Sequence, residues 1–352
     1  MAAFHNIRVE HHDIEFSCAD ENPVLDGALE AGYEIPYSCR SGICGSCRGK
    51  IVSGNVAGGS GAGVLTEEER RDGHVLLCQA RPCSDLTIAV RDVHRREQSS
   101  IKRVTAKVYR VTRAAPDVTV LQLRFPAGTK VRFKAGQYLR AYLEDGTFRN
   151  FSMANPPHQN DGVELHIRHV PGGRFSQHVA DGLAVGQPLT VSLPYGDFFL
   201  RDEGDGPIIL LASGTGFAPI KSIIEEAIKH RQSRTMVLYW GARRLEDLYR
   251  IDLPRKWAAQ LPWFNFVPVL SEAGPADGWE GRTGLVHQAV MKDFGALSDH
   301  DVYACGAPVM IHAARQAFVG ERGLDRDAFY CDAFVATAPA DSSAAPASPQ
   351  AA

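Results

Sequence analysis

Four of the eight cysteines in this 352-residue chain are spaced in a way that would let them bind iron. Cys39, Cys44 and Cys47 form a C-x4-C-x2-C run, and Cys78 follows Cys47 by 31 residues. Three thiolates in one loop and a fourth at a distance are typical of a [2Fe–2S] cluster. Structural zinc usually takes two C-x2–4-C pairs, and Cys78 has only Cys83, five residues on, beside it. We therefore predict Cys39, Cys44, Cys47 and Cys78 as cluster ligands, with Cys83 as the alternative to Cys78.

A second group, Arg149-Asn150-Phe151-Ser152, places a cation, an aromatic ring and a hydroxyl at the end of a strand-like stretch. Alone, this tetrapeptide fits a surface arginine beside a core phenylalanine equally well. The segment VPGGRFS at 170–176 follows, and we predict a glycine-rich loop entering a helix near Ser176. The N–H groups at such a helix start form a site for an anion, which suits a pyrophosphate.

A third group lies between the apolar run PIILL and the helical pattern PIKSIIEEAI. There Gly214, Thr215 and Gly216 precede Pro219, which is typical of a phosphate-binding turn between a strand and a helix. The turn predicts a site for a nicotinamide nucleotide. After the next strand, Arg243 and Arg244 could hold the 2′-phosphate of NADPH or be solvated, so we expect both NADH and NADPH to be accepted.

The elements that must position these groups change in type along the chain. The pattern of residues 1–94 indicates a small α+β unit. The stretch 95–102 is polar and basic, which indicates a linker. Residues 103–204 carry six strand patterns separated by turn residues, which indicates an antiparallel β-barrel. Residues 205–335 alternate strands with helices, which indicates an α/β unit with a parallel sheet. The Ala-, Ser- and Pro-rich tail 336–352 predicts disorder, and the glycine-rich loop 54–63 is expected to affect only loop mobility.

These motifs resemble known families. YSCRSGICGSC with HVLLCQA resembles the plant-type ferredoxin domain, a β-grasp fold. GQYL, RNFS, LPYGDF, GTGFAP and the CGAP at 305–308 resemble the flavin and nicotinamide domains of the ferredoxin–NADP reductase superfamily. For a bound FAD the resemblance implies that Arg149 meets a phosphate, that Phe151 stacks on the ring and that Ser152 hydrogen-bonds near N5. The backbone of His166, Ile167 and Arg168 is expected to contact the flavin. The loop residues Gly172, Gly173 and Ser176 are expected to bind the pyrophosphate.

For the nicotinamide nucleotide the resemblance implies a second set of contacts. It consists of Gly214, Thr215, Gly216, Pro219, Arg243, Cys305 and Gly306. The terminal motif places Asp332 and Phe334 against the flavin. Cys305 is expected beside the nicotinamide C4, and Phe334 is expected to cover the flavin ring and yield to nicotinamide. Ser152, Cys305 and Phe334 are thus the residues expected to act in the transfer. Position 332 departs from the family pattern, because relatives more often carry Glu there than Asp. Phe151 fits the pattern of Tyr or Phe and keeps the stacking, but it lacks the hydroxyl that a Tyr would offer.

The domain order resembles the reductase components of bacterial aromatic-ring-hydroxylating oxygenases. That implies electron transfer from NAD(P)H through FAD and the cluster to a separate Rieske-type terminal oxygenase. The aromatic substrate would bind the oxygenase, so no substrate pocket is expected here. The alternatives are a reductase for a di-iron monooxygenase or a deoxysugar dehydratase, and a pure electron carrier with an inactive reductase half.

Composition excludes other classes of partner. A formal charge of −3 gives no electrostatic case for binding nucleic acid. No apolar run approaches the roughly 18 residues of a membrane span, so no membrane partner is expected. The N-terminus lacks the apolar core of a signal peptide, and we expect a cytoplasmic protein.

Overall fold

The structure is a computed structural model that describes residues 2–95, 101–180, 182–202 and 204–335. The described chain forms three units, each with its own sheet and buried apolar core. Most of the predicted linker, residues 96–100, and the predicted tail, residues 336–352, lie outside the described residues.

The first unit is the predicted α+β fold around a mixed sheet of order β2-β1-β8-β4-β6, in which β1 and β8 are parallel. Its elements are β1 (Phe4–Val9), β2 (Ile14–Ala19), α1 (Val24–Glu30), β3 (Tyr33–Glu34), β4 (Arg48–Ser53), β5 (Val56–Gly58), α2 (Glu67–Arg71), β6 (His74–Leu76), β7 (Ala80–Pro82), β8 (Leu86–Val90) and β9 (His94–Arg95). Helix α1 buries Val24, Leu25 and Ala28 against this sheet, as helical spacing requires. The cysteine loop lies between β3 and β4, and Cys78 follows β6.

The second unit is an antiparallel sheet of order β13-β12-β15-β10-β11-β14. Its elements are β10 (Lys102–Ala115), β11 (Val118–Arg124), β12 (Tyr138–Tyr142), β13 (Phe148–Ser152), β14 (Gly162–Arg168), α3 (Arg174–Ala180) and β15 (Pro188–Tyr195). A bridge between Met153 and Leu165 joins the two edges, so the sheet closes as the predicted barrel.

Helix α3 begins at Arg174, two residues before the predicted start near Ser176. The prediction of a helix start near Ser176 is therefore confirmed to within two residues. The Ser176 hydroxyl does not cap the helix from outside. It lies in the first turn, where its Oγ donates to the carbonyl oxygen of Gly173 at 3.0 Å and accepts from the N–H of Val170 at 3.1 Å.

The third unit is a parallel sheet of order β19-β18-β17-β16-β20-β21 with helices between its strands. Its elements are β16 (Ile208–Ser213), α4 (Phe217–Lys229), β17 (Met236–Ala242), α5 (Asp252–Gln260), β18 (Phe264–Leu270), β19 (Arg282–Thr283), α6 (Val286–Asp293), β20 (Asp301–Gly306), α7 (Pro308–Arg322) and β21 (Phe329–Ala333). Strand β16 lies between β17 and β20, so the strand order reverses there. Ligands of open parallel sheets bind at the carboxyl end of such a switch point.

The glycine-rich loop that precedes α2 contacts the third unit, and this corrects the expectation that it affects only mobility. Gly63 has φ +77°, and a Cβ at this position would lie 3.0 Å from Cε1 of His312 on α7. The absence of a side chain at Gly63 therefore lets the first unit approach α7 closely. In the described part of the chain, no helix is both long enough and apolar enough to span a membrane.

Candidate functional site

A cavity of about 1190 Å³ lies where the three units meet. Its wall includes residues from the cysteine loop, from strands β12 to β14 of the barrel and from the carboxyl ends of β16, β17, β20 and β21. Fourteen of the residues predicted from the sequence line it: Cys39, Arg149, Phe151, Ser152, His166, Arg168, Gly173, Ser176, Gly214, Thr215, Arg243, Gly306, Asp332 and Phe334. Three segments far apart in sequence thus converge on one space.

The four predicted cluster cysteines form two pairs of thiols. Cys39 and Cys44 are within hydrogen-bonding reach of each other, and so are Cys47 and Cys78. The Sγ of Cys39 also accepts N–H groups from Ser41 at 3.4 Å and Cys44 at 3.3 Å. No group of three metal-binding side chains surrounds a single point in the described residues. Two thiol pairs fit a two-iron cluster, in which each iron takes two protein ligands, better than they fit one ion.

The barrel presents two buried hydroxyls to the cavity. Tyr138 of β12 lies directly opposite Ser152 of β13 in the antiparallel register, so both side chains lie on one face. Tyr138 is 3% exposed and Ser152 is 6% exposed. Neither hydroxyl has a hydrogen-bond partner within the described residues. Buried polar groups are rarely left unpaired, so these two fit a polar ligand in the cavity, as FAD would be.

His166 is held by hydrogen bonds on both ring nitrogens. Its Nδ1 lies 2.8 Å from the hydroxyl of Tyr249 and its Nε2 lies 3.1 Å from Oε1 of Glu164. Burial lowers the pKa of His166 below its usual value, although Glu164 acts in the opposite direction. Burial alone would raise the pKa of Glu164, but the hydrogen bond of His166 and the charge of Lys221 outweigh it and hold that pKa well below the usual range. The side chain of His166 is therefore a neutral, fixed part of the wall.

Other flavin-motif residues lie at different depths. Phe151 lines the cavity and also contacts Phe175 of α3, with ring centroids 4.9 Å apart. The side chain of Ile167 is fully buried in the barrel core, which leaves only its backbone for a ligand. Gly172 is exposed and outside the cavity wall, whereas Gly173 and Ser176 are part of it.

The glycine turn after β16 is closely packed against the barrel and against neighbouring strands of its own unit. Gly214 has φ +51°, and a Cβ there would lie 3.2 Å from a guanidinium nitrogen of Arg168. A Cβ at Gly216 would overlap the carbonyl oxygen of Cys305. The carbonyl oxygen of Gly214 accepts the indole N–H of Trp240 at 3.0 Å. At Gly214, which lines the cavity, the turn therefore presents backbone without a side chain, as close approach of a phosphate requires.

Three of the predicted nucleotide residues lie behind the cavity wall. Gly216 and Pro219 are buried where α4 begins, and Cys305 is fully buried. Burial raises the pKa of the Cys305 thiol well above its ordinary value, so it is neutral. Gly306, the next residue, lines the cavity and accepts the N–H of Phe334 at 2.8 Å.

Asp332 connects the third unit to the cysteine loop. Its Oδ1 accepts a hydrogen bond of 2.8 Å from the hydroxyl of Ser38, which precedes the first cluster cysteine. Burial raises the pKa of Asp332 to about 7, and the bond from Ser38 only partly offsets this. Sequence reasoning did not single out Ser38, Tyr138 or Arg140, all of which line the cavity. Tyr138 could have been found from the alternation in GQYLRAYL, but its pairing with Ser152 needed the strand register.

The end of the cavity at Arg243 has mixed charge. Arg243 and Ser271 line it, and so does Asp247, whose Oδ2 accepts the N–H of Arg244 at 3.1 Å. Arg244 itself is outside the wall. One arginine rather than two is therefore available to a 2′-phosphate.

Comparison with known proteins agrees with this architecture. Residues 7–83 match the model of the 2Fe-2S iron-sulfur cluster binding domain, residues 105–200 match the oxidoreductase FAD-binding domain, and residues 210–316 match the oxidoreductase NAD-binding domain. The chain is 43% identical over 337 residues to the terephthalate 1,2-dioxygenase reductase component 2 of Comamonas sp., covering 95% of this chain and 98% of that protein. It is 37% identical to the CDP-6-deoxy-L-threo-D-glycero-4-hexulose-3-dehydrase reductase of Yersinia pseudotuberculosis, covering 94% and 98%.

A solved structure has the same arrangement of domains. The cytochrome P450 reductase GcoB of Amycolatopsis aligns with a TM-score of 0.73 and 32% identity, over 94% of this chain and 98% of that one. The fold, the cavity and the matched domains define an oxidoreductase with sites for a [2Fe–2S] cluster, FAD and a nicotinamide nucleotide. The chain belongs to the family of reductase components of bacterial aromatic-ring-hydroxylating oxygenases, and the prediction of that family is confirmed.

Proposed function

We propose that this chain transfers electrons from NADH or NADPH, through FAD and a [2Fe–2S] cluster, to a separate Rieske-type terminal oxygenase in the cytoplasm. The observation that carries the proposal is the shared cavity, in which the cysteine loop, the flavin motif and the nucleotide turns form one wall. The 43% identity to a terephthalate dioxygenase reductase supports terephthalate, or another aromatic acid, as the substrate of that oxygenase.

The chemistry of the bound groups explains why three domains are needed. Nicotinamide gives two electrons as a hydride and the cluster takes one at a time, so FAD stands between them. The protein's part is to hold these groups close together and in order. No general acid or base is required, and we assign none.

In this proposal the barrel residues bind and orient FAD. Arg149, Gly173 and Ser176 line the cavity and would bind the phosphates of FAD. Phe151 offers its ring to the isoalloxazine, and the Ser152 hydroxyl hydrogen-bonds near N5. The unpaired state of that hydroxyl supports this role, because a ligand atom would satisfy it.

The third unit binds the nucleotide and controls access to the flavin. Gly214, Thr215, Gly306 and Phe334 line the cavity. The first three would offer backbone to the nucleotide, and Phe334 would cover the flavin ring and yield to nicotinamide. Cys305 precedes Gly306 in the chain and is buried behind the cavity wall. It would therefore act by fixing the position of Gly306. Asp332 and Ser38 tie this unit to the cluster loop, so the electron's exit stays close to the flavin.

The test is reconstitution with defined acceptors. The holoprotein is mixed with a terephthalate-type Rieske oxygenase, a di-iron phenol hydroxylase or a deoxysugar dehydrase, each with its substrate, and product is measured with NADH and with NADPH. The proposal expects dihydroxylated product with the Rieske oxygenase only. Turnover with the dehydrase alone would favour the second candidate, which the 37% identity to a dehydrase reductase supports. Failure to reduce cytochrome c in the flavin-replete protein would favour a pure electron carrier.

A further inference from the structure

Arg315 of helix α7 extends from the third unit into the cysteine loop of the first unit. Its Nη1 donates to the carbonyl oxygen of Ile43 at 3.2 Å, and its Nη2 donates to the carbonyl oxygen of Cys44. Nη2 also lies 3.0 Å from the Sγ of Cys331, whose thiol donates to the same Cys44 carbonyl at 3.1 Å. One guanidinium thus holds two consecutive carbonyls between the first and second cluster cysteines.

The loop is shaped to admit this side chain. Gly45 has φ +76°, and a Cβ there would lie 3.6 Å from Nη2 of Arg315 and 3.0 Å from a methyl group of Val64. Arg315 is only 8% exposed, and its guanidinium carbon lies 5.0 Å from the ring centre of Phe329. The charge of Arg315 is therefore enclosed by protein.

No carboxylate forms an ion pair with Arg315 among the described residues. Other arginines at this interface differ, because Arg326 pairs with Glu69 at 2.9 Å and Arg48 pairs with both Glu69 and Asp327. A buried charge without a counter-charge is strongly disfavoured. The position of Arg315 against the cluster loop therefore needs a negative group that the side chains do not supply.

We propose that Arg315 is a positioning residue whose counter-charge is the [2Fe–2S] cluster itself, and that its charge raises the reduction potential of that cluster. The inference rests on the proposed assignment of Cys39, Cys44, Cys47 and Cys78 as ligands. Two ferric ions, two sulfides and four thiolates leave a net negative charge. One electron from reduced flavin makes that charge more negative, so a nearby fixed cation favours the reduced form.

The experiment compares three holoprotein variants by redox titration of the cluster, followed by its visible absorbance and its electron paramagnetic resonance signal. Arg315→Gln removes the charge, and Arg315→Lys keeps the charge but cannot bridge both carbonyls. Arg326→Gln is the matched control, since it removes an arginine from the same interface that already has a carboxylate partner.

We expect Arg315→Gln to lower the ratio of reduced to oxidised cluster about tenfold at a fixed potential, which for one electron is a fall of about 59 mV in the midpoint. Arg315→Lys should stay within about threefold of the unmodified protein, and Arg326→Gln should not shift the titration. An unshifted midpoint in Arg315→Gln with the cluster intact overturns the inference. If Arg315→Gln does not fold, a tenfold fall in Arg315→Lys overturns it, because the charge is then retained. A protein without any cluster signal would instead refute the proposed function.

Discussion

Ser38 donates a buried hydrogen bond of 2.8 Å to Asp332, a residue 294 positions later in the chain. Ser38 immediately precedes the first cluster cysteine, and Asp332 lies on the cavity wall beside Gly306 and Phe334. This contact joins the cysteine loop of the first unit to the third unit at the cavity. Its position explains how a ferredoxin unit with its own core can be held in one orientation.

Replacing Ser38 with Ala should loosen this contact, because it leaves the Asp332 side chain buried without its partner. The cost is about 1–3 kcal/mol. We expect slower reduction of the cluster after NADH is added, measured by stopped-flow absorbance. Ser53→Ala, on an exposed strand end of the same unit, is the control and should behave as the unmodified protein. Equal rates in both variants would contradict a role for the Ser38–Asp332 bond.

Cys47→Ser should remove the visible absorbance of the cluster, because one thiol of the Cys47–Cys78 pair is lost. NAD(P)H oxidation with ferricyanide should persist, since this acceptor can take electrons from the flavin. Cys83→Ser is the matched control, because Cys83 is exposed and was the alternative ligand. Loss of absorbance in Cys83→Ser but not in a Cys78→Ser variant would reverse the assignment.

Ser152→Ala should slow flavin reduction by NADH while the cluster remains intact. Its hydroxyl is buried at the cavity without a protein partner in the described residues, so a bound flavin is the group that can satisfy it. A lost hydrogen bond of this kind costs about 1 kcal/mol, or roughly fivefold in rate. Tyr138→Phe removes the opposite hydroxyl and should weaken FAD retention. Unchanged reduction in Ser152→Ala would eliminate its place near N5.

Glu164 lies at the contact between the barrel and the third unit, and it should make the free energy of unfolding depend on pH. Its carboxylate lies 3.4 Å from the ammonium of Lys221 and 3.1 Å from His166. Because the pKa of Glu164 is lowered in the folded state, its contribution is complete above the unfolded value near 4.5 and is lost as pH falls below it.

We expect Glu164→Gln to lower the free energy of unfolding by about 2 kcal/mol at pH 7. The variant should also show a weaker fall of that free energy with pH below pH 4.5. Urea unfolding followed by tryptophan fluorescence measures this, since all four tryptophans belong to residues 240–279. An equally steep loss below pH 4.5 in the variant would assign that loss to other carboxylates.

Gly216→Ala tests the close packing of the nucleotide turn. The new methyl group would overlap the carbonyl oxygen of Cys305, so the turn must shift. We expect a loss of more than 1 kcal/mol in stability and weaker NADH binding, measured by calorimetry. Gly320→Ala is the control, because this glycine is exposed on α7 with no atom near the new methyl group. It should gain about 0.5–1 kcal/mol from helix propensity.

Local sequence patterns predicted those parts of the site that consist of a few residues close together in the sequence. The C-x4-C-x2-C run forms a single loop, and the strand–glycine–helix pattern around Gly214 forms one turn, so short-range spacing was sufficient for both. The start of α3 near Ser176 was also predicted to within two residues, because the glycine-rich loop and the first turn of the helix are neighbours in sequence.

The sequence by itself determined the three-unit order and the residue types at the two glycine turns, the flavin motif and the cluster loop. Only the tertiary structure decided that Tyr138 lies opposite Ser152, that Ser38 meets Asp332 and that Arg315 enters the loop between Ile43 and Gly45. The reason is physical. Strand register and domain docking depend on how whole surfaces fit, and no pattern of nearby residues records which distant side chain fills a given gap.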